Sequence, residues 1–231
     1  MKHPRILAAA TTAVALFVGT SVPAEADFGS GTLGNWQALS HGIVGNWSTA
    51  NVGIIGDSIT TRCYRSLGTL VAKQGKTLAV NYWSGRPTTP TVDWLLSQPK
   101  LPKVLLVASG SNDIFDPRPF GGQVARLKAG LPYGTTLLWV DVQVSRTRYS
   151  SAVQLADQRN SLWVDNQLRE NLPKSQIVPW SWWFASYPNR LAYYLQDGVH
   201  PWSSAGSGHG DGCAFWASVI MAVAGKAITA A

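Results

Sequence analysis

The sequence predicts an α/β protein whose parallel sheet is covered by helices on both faces. Short apolar, β-branched runs at residues 51–55, 77–82, 103–108, 135–140 and 176–178 read as five buried strands. Stretches with helical signals lie between them, at residues 60–73, 89–97, 120–129 and 151–171. Strands that alternate with helices pair in parallel, because each helix carries the chain back to the same end of the sheet. At 45% hydrophobic, 10% aromatic and 13% charged, the chain is too apolar for disorder, and two cysteines are too few for a disulfide scaffold.

Taken in order, the chain opens with Lys2 and Arg5 before an apolar run over residues 6–18, followed by Ala24-Glu25-Ala26. A basic start, an apolar stretch and a small-x-small site make residues 1–26 a signal peptide. The run is shorter than the ~20 residues of a spanning helix, so the expectation is a secreted protein with no transmembrane anchor after cleavage. Residues 27–50 are rich in Gly, Ser and Asn, repeat Gly-Asn-Trp, and read as a loop-rich lead-in. Residues 51–231 then form one domain with a substantial core. In the stretch 151–171, Val153, Leu155, Leu162, Val164 and Leu168 interleave with polar residues, and Pro173 closes the helix. The fifth strand leads to Pro179-Trp180-Ser181-Trp182-Trp183-Phe184, then to a loop reaching Pro201. The last apolar segment, 213–228, is broken by Gly225-Lys226 and is expected to pack on the sheet rather than cross a membrane.

The formal net charge is +7, and the leader holds only Lys2, Arg5 and Glu25 of the charged residues. The remainder is therefore basic, which favours acidic surfaces without specifying one. Arg146 and Arg148 are the densest basic cluster, and no basic run interleaved with aromatics accompanies them, so no nucleic-acid partner is expected.

In open parallel sheets, reactive groups sit where strands end and loops lead into helices. The first strand ends in Gly56-Asp57-Ser58. A serine there exposes its hydroxyl and places its own N–H at the positive end of a helix, though capping explains a serine at that position equally well. The third ends in Gly110-Ser111-Asn112-Asp113, where an Asn amide is a neutral donor suited to an oxyanion and also ordinary turn chemistry. The second leads to Ser84-Gly85, where glycine lets a backbone N–H approach a ligand or simply makes a turn. Late in the chain, Asp197 precedes His200 by three residues. A carboxylate so placed can accept from Nδ1–H and leave Nε2 to take a proton from a serine hydroxyl.

These four segments, in this order, resemble the SGNH hydrolases, also called the GDSL esterase/lipase family, over nearly the whole chain from Asn51 onward. The resemblance rests on Gly56-Asp57-Ser58, Gly85, Gly110-x-Asn112-Asp113 and Asp197-x-x-His200. It implies a flavodoxin-like three-layer α/β/α sandwich with a mainly parallel five-stranded sheet. It also implies Ser58 as nucleophile, His200 as general base and Asp197 as the group orienting it. The Ser58 and Gly85 N–H groups and the Asn112 side chain would form the oxyanion hole. Asp57 is expected to be structural and Asp113 to cap the next helix. The Gly-x-Ser-x-Gly elbow of the α/β-hydrolases does not occur here.

The implied activity is that of a secreted serine esterase acting through an acyl-enzyme, on an ester substrate that is an acylated glycan or glycolipid. The same site would serve an O-acyltransferase; the rival from another class is a catalytically dead, Trp-rich glycan-binding module. Among the Trp residues flanking the histidine, Trp182 and Trp202 are assigned to substrate binding, since indole faces suit sugar rings and acyl chains. His209 and Asp211, in a glycine-rich stretch, fall short of a metal site, and neither a metal nor a cofactor is expected. If Ser58 and His200 meet, Cys63, five residues after the serine, and Cys213, thirteen after the histidine, come together. Export would then permit a disulfide between them.

Overall fold

The computed structural model of the protein describes residues 28–231, so the leader at 1–26 lies outside the described residues. All five expected strands are present: β2 (Val52–Gly56), β3 (Leu78–Trp83), β4 (Val104–Ala108), β5 (Thr136–Val140) and β6 (Ile177–Val178). A sixth, β1 (His41–Val44), arises from the lead-in and pairs antiparallel with β3 at the sheet edge. The sheet order β1-β3-β2-β4-β5-β6 places the five parallel strands in the flavodoxin-like arrangement and adds one edge strand to it. The expected count of five was short by β1 because that strand has no buried face: three of its four residues are exposed, and Ile43 is 59% exposed. Without a buried face there is no alternation to read. The edge is held instead by the ladder to β3 and by Trp83, whose indole N–H donates to the Trp36 carbonyl at 3.0 Å.

The helices are α1 (Ser58–Lys73), α2 (Thr88–Leu96), α3 (Phe120–Gly130), α4 (Ser151–Asn171), α5 (Trp180–Ser186), α6 (Leu191–Tyr194) and α7 (Gly212–Ala230). α1 and α7 pack together on one face of the sheet, while α2, α3 and α4 pack in series on the other. α6 lies in the stretch expected to be a loop, and α5 forms just before it, where no helix was expected. The reason is tertiary: the buried Asp141 carboxylate, just past β5, accepts from the Ser181 N–H at 2.5 Å and from its hydroxyl at 2.9 Å, capping α5 from outside its own sequence.

The core lies between β2 and β4, fully buried along their lengths, and the helices that cover them. α7 is long and apolar enough to cross a membrane by composition. Here it lays Trp216, Ile220, Ala224 and Ile228 into the core, and its first turn is bonded to α1 through Cys63–Cys213, with Cα atoms 4.8 Å apart. The expected disulfide is present.

The switch in strand order falls between β2 and β4, the two strands that deliver Ser58 and Asn112. Connections leave in opposite directions there, which opens a crevice at the carboxyl ends.

Candidate active site

Ser58 is the first residue of α1, held by Asp57, whose carboxylate accepts the Ile59 N–H at 3.0 Å as the helix cap. The sharp entry from β2 depends on Gly56. A Cβ there would stand 2.5 Å from the Ala108 carbonyl oxygen of β4 and 2.1 Å from Thr60 Oγ1. The Ser58 N–H is one of the helix-start donors that no turn of the helix satisfies.

The structure brings Ser58, His200 and Asp197 together. His200 Nε2 lies 2.8 Å from Ser58 Oγ, and Nδ1 lies 2.9 Å from Asp197 Oδ2. With a proton on Nδ1 donating to the carboxylate, Nε2 accepts from the serine hydroxyl. Asp197 Oδ1 also accepts the Val199 and His200 N–H groups, at 3.1 and 2.8 Å. Partial burial works against the charged form of Asp197. The His200 ring and these N–H donors outweigh it and hold the carboxyl below the usual carboxylate range. From α1, the Arg62 guanidinium donates to the Pro201 carbonyl at 3.1 Å and to Gln196 Oε1 at 2.6 Å. Its neighbour Cys63 is bonded to Cys213 of α7, so α1 holds both the histidine loop and the helix that follows it.

Asn112 stands at the start of the short 3-10 turn after β4, and its side chain makes no capping bond to it. Its amide nitrogen is 3.4 Å from both Asp57 Oδ2 and the Arg86 carbonyl, contacts at the long limit that orient it without fully occupying it. Asp57 is buried, and burial pushes its carboxyl up to about 6 against the Ile59 N–H and the charges of His200 and Arg86. Asp113, expected to cap the helix that follows it, instead caps α2: its carboxylate accepts from the Thr88 N–H at 3.1 Å and from the Thr88 hydroxyl at 2.8 Å. Burial pushes it up to about 7 despite those bonds.

A cleft of about 340 Å³ runs past Ser58, Asn112, Asp197 and His200, with Ile114, Phe115, Val144, Arg146, Arg148 and Tyr149 among its walls. Gly85, at φ 76, stays in the turn after β3 and does not line it. That turn does meet α1, through Ser84 Oγ and Thr61 Oγ1 at 3.2 Å. Neither expected tryptophan reaches the cleft. Trp182 is 51% exposed and lines a separate groove with Arg169, while Trp202 stacks on His209 with ring centroids 4.0 Å apart. Asp211 caps α7 through the Ala214 N–H at 2.8 Å. The cleft aromatics, Phe115 and Tyr149, were not legible in the sequence. Arg146 and Arg148 were visible as a cluster, but not their direction.

The three-layer α/β/α sheet thus holds a serine, a histidine and an aspartate in hydrogen-bonded series at its switch point. No family model and no curated protein matches the sequence. Among solved structures, the chain is similar to the C-terminal catalytic domain of peptidoglycan O-acetyltransferase A from Streptococcus pneumoniae (19% identity, TM-score 0.57, covering 79% of this chain and 96% of that one). It is also similar to an acetyl xylan esterase from Geobacillus stearothermophilus (15%, TM-score 0.52, 79% and 95%). A third likeness is to a member of the lipolytic G-D-S-L family from Veillonella parvula (13%, TM-score 0.52, 74% and 96%). The chain has the SGNH hydrolase fold.

Proposed function

We propose that the chain is a secreted serine esterase that cleaves oxygen esters through an acyl-enzyme on Ser58. The observation that carries this is the unbroken series Ser58 Oγ, His200 Nε2 at 2.8 Å, and His200 Nδ1 to Asp197 at 2.9 Å. As Ser58 Oγ attacks the ester carbonyl, its proton passes to Nε2, and Asp197 stabilises the imidazolium. In this reading the Ser58 N–H at the start of α1 and the Asn112 amide donate to the developing oxyanion, while Gly85, outside the cleft wall, is left out of the hole. Collapse breaks the C–O bond, and Nε2–H protonates the departing alcohol. Water, deprotonated by the same nitrogen, then releases the acid and frees Ser58.

Residues 1–26 serve as the export signal and residues 51–231 as the catalytic domain, with β1 of the lead-in completing the sheet edge. The Cys63–Cys213 bond favours an oxidising compartment. An acylated glycan is the substrate class favoured by the likeness to an acetyl xylan esterase and to a peptidoglycan O-acetyltransferase domain. The second likeness supports a second reading, in which a sugar hydroxyl replaces water and the site transfers the acyl group. The dead-module alternative is disfavoured by the intact Ser58–His200 contact. A fluorophosphonate probe tests the reading: wild type should label, and Ser58→Ala should neither label nor hydrolyse p-nitrophenyl acetate. Product analysis with a glycan acceptor separates free acid from transferred ester. An unlabelled wild-type protein that binds polysaccharide would restore the binding module.

A further inference from the structure

Resting on the esterase reading, we infer that the cleft is built for an ester whose molecule also carries an anionic oxygen group, a carboxylate or a phosphate, recognised by Arg148. Two arginines line the cleft with Ser58 and His200, and their states differ. Arg146 is committed. Its guanidinium forms a bidentate pair with the fully buried Asp157, at 2.9 and 2.7 Å, and donates to the Ser30 carbonyl. It is also flanked by the Phe115 and Tyr149 rings, at 4.9 and 4.6 Å from their centroids. Arg146 therefore shapes the wall and has its charge offset.

Arg148, two residues on, is exposed and has no hydrogen bond, ion pair or ring contact among the described residues. The remaining charge in the cleft wall, Asp197, is engaged by His200 and two backbone N–H groups. Arg148 is thus the charge in the wall left without a partner. α4 begins close by and carries no acidic residue in its first turn, so the helix dipole adds to the positive potential rather than cancelling it. A guanidinium presents a planar fork of charged donors that matches carboxylate and phosphate oxygens two at a time, whereas the oxygens of a neutral ester accept from it without offsetting its charge.

The loop that bears Arg148 is also positioned. The Ser145 N–H donates to the Gly198 carbonyl at 3.1 Å, and the Thr147 N–H donates to the Asp197 carbonyl at 2.9 Å. The arginine is therefore carried by backbone bonded directly to Asp197 and Gly198, which keeps its root beside the same cleft as Ser58 and His200.

The test compares kcat/KM for para-acetoxybenzoate and para-acetoxyphenyl phosphate with that for neutral methyl para-acetoxybenzoate, each divided by its hydroxide-catalysed rate. Wild type should favour at least one anionic ester by about 10-fold, a preference that shrinks as ionic strength rises. Which anion is favoured distinguishes carboxylate from phosphate. Arg148→Glu should lower the anionic-to-neutral ratio by about 10-fold or more, and Arg148→Lys, which keeps the charge and loses the fork, should fall between Arg148→Glu and wild type. A wild-type ratio near one, or a ratio unchanged in Arg148→Glu, overturns the inference while leaving the esterase reading in place. Hydrolysis of none of the three esters, or hydrolysis that survives Ser58→Ala, overturns both.

Discussion

A Cβ on residue 198 would stand 1.8 Å from the Ser145 carbonyl oxygen, and Gly198 holds φ at 81. The glycine between Asp197 and His200 thus meets two demands at once: a backbone conformation costly to other residues and a contact with the loop after β5 that has no room for a side chain. That contact joins the segment holding Asp197 and His200 to the wall bearing Arg146 and Arg148.

Gly198→Ala should therefore damage both fold and catalysis. Strain of about 1–3 kcal/mol lowers Tm by roughly 2–12 °C for a chain of this size. Displacement of Asp197 and His200 should reduce kcat/KM at least about 10-fold, since small misplacements of reacting groups are costly. Thermal melting and ester hydrolysis on the same preparation check this; wild-type values for both would show that the loop yields freely.

The two histidines near the end of the chain make opposite predictions. His200→Ala should reduce kcat by about 10³-fold or more with the fold retained, as loss of a triad base does. His209 stacks on Trp202 and does not line the cleft, so His209→Ala should leave kcat within about three-fold. Steady-state kinetics with p-nitrophenyl acetate decide, and the reverse order would move the base to the glycine-rich loop.

Parts of the architecture were legible because burial writes itself into sequence. β2 and β4 are buried at every residue and read as continuous apolar runs, whereas β1 is exposed and reads as nothing. α5 escaped because its cap, Asp141, comes from another strand end. The same division holds at the site. Ser58 with Asp57, and Asp197 with His200, are local pairs whose spacing carries their chemistry. Phe115, Tyr149 and Arg148 reach the cleft through loop packing, which leaves no periodic trace. The abundance of tryptophan marked neither Trp182 nor Trp202 as a wall of the cleft, since indole composition carries no direction.

Reducing Cys63–Cys213 should lower stability more than activity. The bond closes a separation of 150 residues, which in the chain-entropy model corresponds to about 5 kcal/mol at most. Reduction should lower Tm by up to roughly 10–20 °C, while Arg62 still holds the histidine loop through Pro201 and Gln196. Melting with and without reductant tests the first part. Activity measured well below both melting points tests the second; its abolition there would mean that the disulfide itself sets the Ser58–His200 distance.

The buried carboxyls set the direction of the stability change with pH. Asp113 is buried, and burial raises its pKa to about 7 in the fold, against about 3.9 in an unfolded chain. Between those values the folded state keeps a proton that the unfolded state has lost, so unfolding free energy falls as pH rises, by up to about 1.4 kcal/mol per unit for this group. Its contribution is fully present below about pH 4 and is lost by pH 7. Asp57, raised to about 6 by burial, adds in the same direction over a narrower window. Tm should therefore decline from pH 5 to pH 7, the opposite of a fold held by exposed carboxylate pairs. Asp113→Asn keeps an oxygen for the Thr88 N–H and an amide for the Thr88 hydroxyl, which can turn to accept. The variant should flatten the slope by about one group's share. Melting in matched buffers across that range reads the slope directly, and parallel wild-type and variant lines would show that Asp113 does not hold its proton in the fold.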